Sequence, residues 1–165
     1  MSKRLTKIGV ETEIITLANK KIEHCRACDN CKKTGKCPID DELVEIMEKM
    51  VAAQGIILAC PVYSFNITPL IQDLITRGNR YFHNVLAKSA IKDNSDNPGF
   101  TYKNIPFSAL KGKVGAAIAT ARRAGGGMSL WNLNNFMLIN EMYITGSLLR
   151  EYDFWLRKKV NNKRY

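Results

Sequence analysis

Residues 55–77 read GIILACPVYSFNITPLIQDLITR, and their order decides the fold. Residues 56–60 form a short apolar run, expected of a strand covered by helices on both faces. Pro61 ends the run by removing a backbone donor. From residue 68 to 77 the apolar positions return at helical spacing, with Leu70, Ile71, Leu74 and Ile75 turned inward. The same strand–turn–helix order recurs outward in both directions. Upstream, Leu43, Ile46, Met47, Met50 and Val51 make one helical face, with Asp40 or Asp41 as N-cap and Gly55 as the stop. Residues 10–17, VETEIITL, alternate as a strand does, and Leu5, Ile8 and Gly9 read as the last turn and cap of an earlier helix. Downstream come a long polar connection at 83–111, a strand at 114–120, a helix at 128–139 and a last strand at 142–145. Strands alternating with helices give an α/β fold with a parallel sheet, whose ligands bind beyond the carboxyl ends of the strands.

Two strand ends carry candidate chemistry. The first is Pro61, Val62, Tyr63, Ser64, Phe65 and Asn66. Aromatic faces beside small polar groups can stack on a flat heterocycle and bond its edge; an ordinary turn with Tyr63 half buried is the competing reading. The second is Thr120, Ala121, Arg122, Arg123, Ala124, Gly125, Gly126 and Gly127. Glycines ahead of a helix let the backbone approach an anion or a ring, and two arginines offset negative charge.

Between the strand at 10–17 and the helix at 43 lies CRACDNCKKTGKC, residues 25–37. Cys25, Cys28, Cys31 and Cys37 are spaced C-x2-C-x2-C-x5-C, so four thiolates can converge on one centre with only short loops to close. Three cysteines at x2 intervals are an iron–sulfur signature. A zinc site and plain thiols stay open as alternatives, although zinc knuckles are usually set much further apart. A disulfide framework is not expected without a secretion signal.

At 165 residues the chain is expected to form one domain, and no apolar run approaches the roughly 20 residues that cross a bilayer. A reducing cytoplasm is the expected setting. The net charge of +10 sits at the ends: residues 1–36 hold nine Lys or Arg against four acids, and residues 150–165 hold six against two. With no basic–aromatic interleaving between them, these read as solvated ends and not as a nucleic-acid surface. His24 and His83 are expected at the surface, and Cys60 as a buried small residue.

Taken together, CRACDNCKKTGKCPIDDEL, GIILACPVYSFNITPLIQDLITR, GKVGAAIATARRAGGG and MYITGS resemble the NAD(P)H-dependent FMN reductase family, and within it the iron–sulfur flavoproteins. The resemblance implies a flavodoxin-like, doubly wound parallel sheet in three α/β/α layers over residues 1–147, with 148–165 as a basic tail. It implies FMN between the two strand ends and a [4Fe–4S] cluster on Cys25, Cys28, Cys31 and Cys37. It further implies a donor such as NAD(P)H or ferredoxin, and a dimer or tetramer. A cluster-binding carrier or sensor without turnover, or a truncated inactive relative, are the alternatives. By the same resemblance, residue 1 is expected to fall within the family's first helix, after its first strand and phosphate-wrapping turn. The strands expected at 10–17 and 56–60 are then expected to lack their shared neighbour in this sequence.

Overall fold

A computed structural model describes residues 2–94 and 108–151, with backbone alone at residues 2, 84–94 and 151. The chain runs through α1 (Ser2–Lys7), α2 (Asn30–Thr34), α3 (Leu43–Ala52), β1 (Gly55–Pro61), α4 (Pro69–Asn94), β2 (Val114–Ala121), α5 (Gly126–Ile139) and β3 (Tyr143–Glu151). Among the described residues the sheet has three strands in the order β1-β2-β3, all parallel. This is the α/β architecture expected from the alternating pattern.

Register explains where the core lies. Ile56 pairs with Gly115, Leu58 with Ala117 and Cys60 with Ala119, so these share one face. Against it pack Leu43, Ile46, Met47 and Met50 of α3, Ile71, Leu74 and Phe82 of α4, and Leu133, Phe136 and Met137 of α5. Gly115 makes room for this layer, since a Cβ there would lie 2.7 Å from Met137 Sδ. Two right-handed crossovers stepping the same way across a sheet put both helices on the same side. The other face of β1 is therefore open among the described residues, with Ile57 44% exposed. Cover on both sides, expected for the run at 56–60, is not found there; of the three layers, the described residues supply the sheet and one helical layer.

Further differences from the sequence pattern are found along the chain. Residues 10–17 join no ladder: among the described residues no strand lies beside them, and only Ile15 and Leu17 of this segment lean on the core. The helix expected to stop at Arg77 continues to Asn94, which takes residues 83–94 out of the expected loop. Gly78, the next residue, packs in mid-helix, where a Cβ would lie 3.2 Å from Phe82 Cε2. Val51 is exposed although it follows the apolar stripe of α3. β3 runs on to Glu151, because a bulge opposite Gly115/Ala116 lets Leu148 and Leu149 continue the ladder beside Ile118 and Ala119. The remainder of the connection, 95–107, and of the tail, 152–165, lies outside the described residues.

The helical ends are secured locally. Gly9, at φ 82, closes α1 while Val10 N–H reaches back to Leu5 O at 3.0 Å, as the sequence led one to expect. Lys113 Nζ donates to Val51 O and Ala53 O at 2.7 and 2.5 Å, satisfying carbonyls at the end of α3. Buried Asn140 accepts from Ser108 Oγ at 2.5 Å and donates to Asn79 Oδ1 at 2.7 Å, tying the end of α5 to α4.

Candidate functional site

The cysteine segment is a tight loop around the five-residue α2. Ala27 (φ 50), Asp29 (φ 54) and Gly35 (φ 74) take left-handed conformations, and the Gly35 N–H donates to Cys31 O at 2.8 Å. Left-handed backbone costs a non-glycine residue about 1 kcal/mol or more, and such positions persist where the surroundings fix them. The result gathers all four cysteines on one hollow. Cys25, Cys28, Cys31 and Cys37 line it together with Pro38, Ile39 and Met47, and with Arg77, Arg80 and Tyr81 from α4. None of the five cysteines is in a disulfide.

Arg77 closes the loop. Its side chain is 2% exposed and pairs with the fully buried carboxylate of Asp41 at 2.5 Å. Nη1 also donates to Glu23 O at 2.9 Å, and Nη2 to Cys37 Sγ at 3.2 Å, while Nε is buried without a partner. Asp41 Oδ2 in turn accepts from Glu23 N–H at 2.9 Å, and Oδ1 from Leu43 N–H at 3.2 Å. Asp41 thus bonds the Leu43 N–H at the start of α3, but the N-cap position falls on Glu42 and not on Asp40 or Asp41 as expected. Asp41 also anchors both ends of the cysteine loop to α4. Burial opposes the charge on Asp41, yet the bonds from Arg77 and Glu23 hold its carboxyl below the ordinary aspartate range. Arg80, one turn on, bonds Asp29, and that hydrogen bond lowers the Asp29 carboxyl. The sequence held the signal: Arg77 lies at i+7 from Leu70 and i+3 from Leu74, a cation on the inward stripe of a helix, which demands a buried anion.

Among the described residues no three His, Cys, Asp or Glu side chains are gathered as a ligand set for a metal ion. What the four cysteines share is the hollow. An all-thiol donor set beside two arginines, one with an orphaned buried N–H, suits an anionic, sulfur-rich group.

The two strand ends meet. Tyr63 and Asn66 exchange backbone hydrogen bonds of 2.9 Å in each direction around Ser64 (φ 48) and Phe65 (φ 65), a turn with two positive φ values and no glycine. Tyr63 and Phe65 are 60% and 67% exposed, so their rings stand open to a ligand; the half-buried Tyr63 of the ordinary-turn reading is not what is found. Pro61, Ser64 and Asn66 are exposed and Val62 half-buried, with the Val62 N–H donating to Thr120 O at 2.9 Å. Asn66 Oδ1 accepts from Ile67 N–H at 2.8 Å and Asn132 Nδ2 at 2.5 Å, which fastens the turn to α5.

Gly125, at φ 89, lies directly under this turn: a Cβ there would sit 2.4 Å from Phe65 Cα. Gly125 caps α5 without a side-chain bond, which leaves the first N–H groups of that helix to a ligand or water. Arg122 and Arg123 are exposed, Thr120 half-buried and Gly126 buried against Leu149. The arrangement offers two aromatic faces, a helix N-terminus and two cations at the carboxyl ends of adjacent parallel strands, where flat anionic ligands bind in such sheets.

The remaining candidates are structural. His24 is exposed as expected, but His83 is half-buried, and burial pulls its pKa down. Cys60 is buried within β1, and burial pushes its thiol up against the opposing backbone bond at Thr68.

With this geometry in hand, the family model described as NADPH-dependent FMN reductase matches residues 1–149. The chain belongs to the NADPH-dependent FMN reductase family. Within that family it is 34% identical over 140 residues to an iron-sulfur flavoprotein of Methanocaldococcus jannaschii, covering 84% of this chain and 61% of that one. An iron-sulfur flavoprotein of Methanosarcina thermophila is likewise 34% identical over 140 residues, covering 84% and 62%. The chain thus spans about three-fifths of the length of these relatives. Among solved structures, a flavone reductase superposes with TM-score 0.63 at 19% identity, over 96% of this chain and 49% of the other. RosB, bound to an 8-demethyl-8-formylriboflavin-5'-phosphate intermediate, gives 0.60 at 15% identity, over 96% and 60%. At such identity the superpositions establish the fold, which is the flavodoxin-like α/β sheet of this family.

Proposed function

We propose that the chain carries the cofactor-holding core of an FMN-dependent oxidoreductase of the iron–sulfur flavoprotein type. FMN, when bound, supplies a junction between one- and two-electron steps, and a [4Fe–4S] cluster supplies single-electron passage. Cys25, Cys28, Cys31 and Cys37 would hold the cluster. Pro61, Val62, Tyr63, Ser64, Phe65 and Asn66 would border the flavin on one side, and Thr120, Arg122, Arg123, Gly125 and Gly126 on the other. In this reading Tyr63 and Phe65 give ring faces and exclude water, while the start of α5 and the two arginines favour negative charge. Electrons would come from NAD(P)H or a ferredoxin and leave to an external acceptor, in a homo-oligomer within the reducing cytoplasm. Among the described residues no helix is long and apolar enough to cross a membrane.

The observation that carries the flavin half of this reading is the contact of Gly125 with Phe65, which makes one site of two loops. Titrating FMN into the purified chain and following its fluorescence tests it. The wild type is expected to quench FMN saturably. Gly125→Ala must both enter a left-handed φ and push Phe65 away, so it is expected to cost about 1–3 kcal/mol of stability and to weaken FMN at least about tenfold. Equal FMN affinity in a folded Gly125→Ala protein would remove the loops from the site.

A further inference from the structure

We propose that Arg77 positions the sulfur-bound group in the cysteine hollow and raises its reduction potential, with Arg80 adding to the same effect; this rests on the cluster reading above. A buried guanidinium is costly unless fully paired, and a purely structural Arg77 would need only Asp41 and the Glu23 carbonyl. It does more. Arg77 lines the hollow; its other fork arm donates to Cys37 Sγ at 3.2 Å, and its Nε–H is buried with no acceptor. Arg80, three residues on along α4, lines the hollow too. Two cations on one helical face, each held by a carboxylate, therefore flank four thiol ligands: Arg77 is held by Asp41, and Arg80 by Asp29, which also lines the hollow.

The electrostatics follow directly. One electron, delivered by an external low-potential donor, makes a thiolate-ligated iron–sulfur group more negative, with no bond made or broken at Arg77. A fixed cation and an N–H bond to a ligand sulfur stabilise that reduced form more than the oxidised one. Hydrogen bonds around metal-bound sulfur act on potential in this way, and a rigid donor held by its own carboxylate loses little order in doing so.

The test compares the wild type, Arg80→Gln, Arg77→Lys and the double variant Arg77→Gln/Asp41→Asn. The double variant removes both buried charges together and so leaves no uncompensated ion. Each protein is reconstituted anaerobically, its iron and sulfide are counted, and a one-electron potentiometric titration is followed by electron paramagnetic resonance. The double variant is expected to shift the reduction equilibrium about tenfold against the reduced form, about 59 mV lower for one electron. Arg77→Lys and Arg80→Gln are expected to shift it less, in the same direction. Should the double variant not fold, these two carry the test, since Arg80 lies at the exposed rim and the Arg77→Lys protein keeps a cation beside Asp41. A merely structural Arg77 leaves the potential of every loaded protein at the wild-type value, and that result overturns the proposal. A wild type that takes up no iron overturns the cluster reading itself, and this proposal with it.

Discussion

Replacing Asp41 by alanine is expected to cost the fold about 3–5 kcal/mol, enough to consume much of a small domain's stability. The reason is the partner left behind. Arg77 would keep its charge in a site where 2% of its side chain is exposed, with only the Glu23 carbonyl and the Cys37 sulfur to bond. The N–H groups of Glu23 and Leu43 would lose their acceptor as well. Urea denaturation of the chain without added metal measures this, and the matched replacement Arg77→Met/Asp41→Leu is expected to recover most of the loss. A pH dependence accompanies it. The Asp41 carboxyl sits below its ordinary range when folded, so its contribution is complete above the unfolded value of about 4 and is lost as pH falls through the folded one. Acid unfolding of the wild type should therefore steepen below about pH 4, and the Asp41→Ala protein should lack that limb. A cost under about 1 kcal/mol would show that the ion pair does not anchor the loop.

The second large effect separates folding from loading. Cys28 is exposed, so Cys28→Ala is expected to change the stability of the metal-free chain by no more than about 0.5 kcal/mol. The same substitution is expected to abolish the broad visible absorbance that anaerobic reconstitution with iron and sulfide produces in the wild type, because a four-thiolate cluster loses a ligand. Cys60→Ala is the control: Cys60 is a buried residue of β1 and does not line the hollow, so its loss should leave the absorbance intact. Absorbance that survives in Cys28→Ala but disappears in Cys60→Ala would reverse the ligand assignment.

The elements legible in the sequence were those bounded by local chemistry. The run at 56–60 ends at a proline, ARRAGGG precedes an apolar helix, and Gly9 takes the positive φ that a helix cap needs, so β1, α5 and α1 fell near their expected limits. What failed depended on partners far along the chain. Alternation at 10–17 looks like a strand, but a strand exists only beside another backbone, and none of the described residues offers one. The helix expected to end at Arg77 runs on through Gly78, over which Phe82 packs. The open face of β1 follows from the hand of two crossovers, which no single window of sequence contains.

The site divides in the same way. Spacing pointed to the four cysteines, which line one hollow, although among the described residues no three of them are drawn together as a metal-ligand set. It did not show that Arg77, 36 residues beyond Asp41, closes that loop. Likewise, glycines before a helix suggested a ligand loop. That Gly125 is required because Phe65 occupies the space of its side chain emerges only when the two strand ends are side by side. The left-handed Ser64 and Phe65 were invisible for a related reason: turns of that kind usually advertise themselves with glycine or asparagine.

The most direct measurement is the chemical analysis of the wild-type chain after anaerobic reconstitution with iron, sulfide and FMN, followed by gel filtration. A cluster on the hollow and a flavin between the strand ends predict about four iron and four sulfide per chain, eluting with close to one FMN. A colourless polypeptide that elutes with neither iron nor flavin would contradict the account.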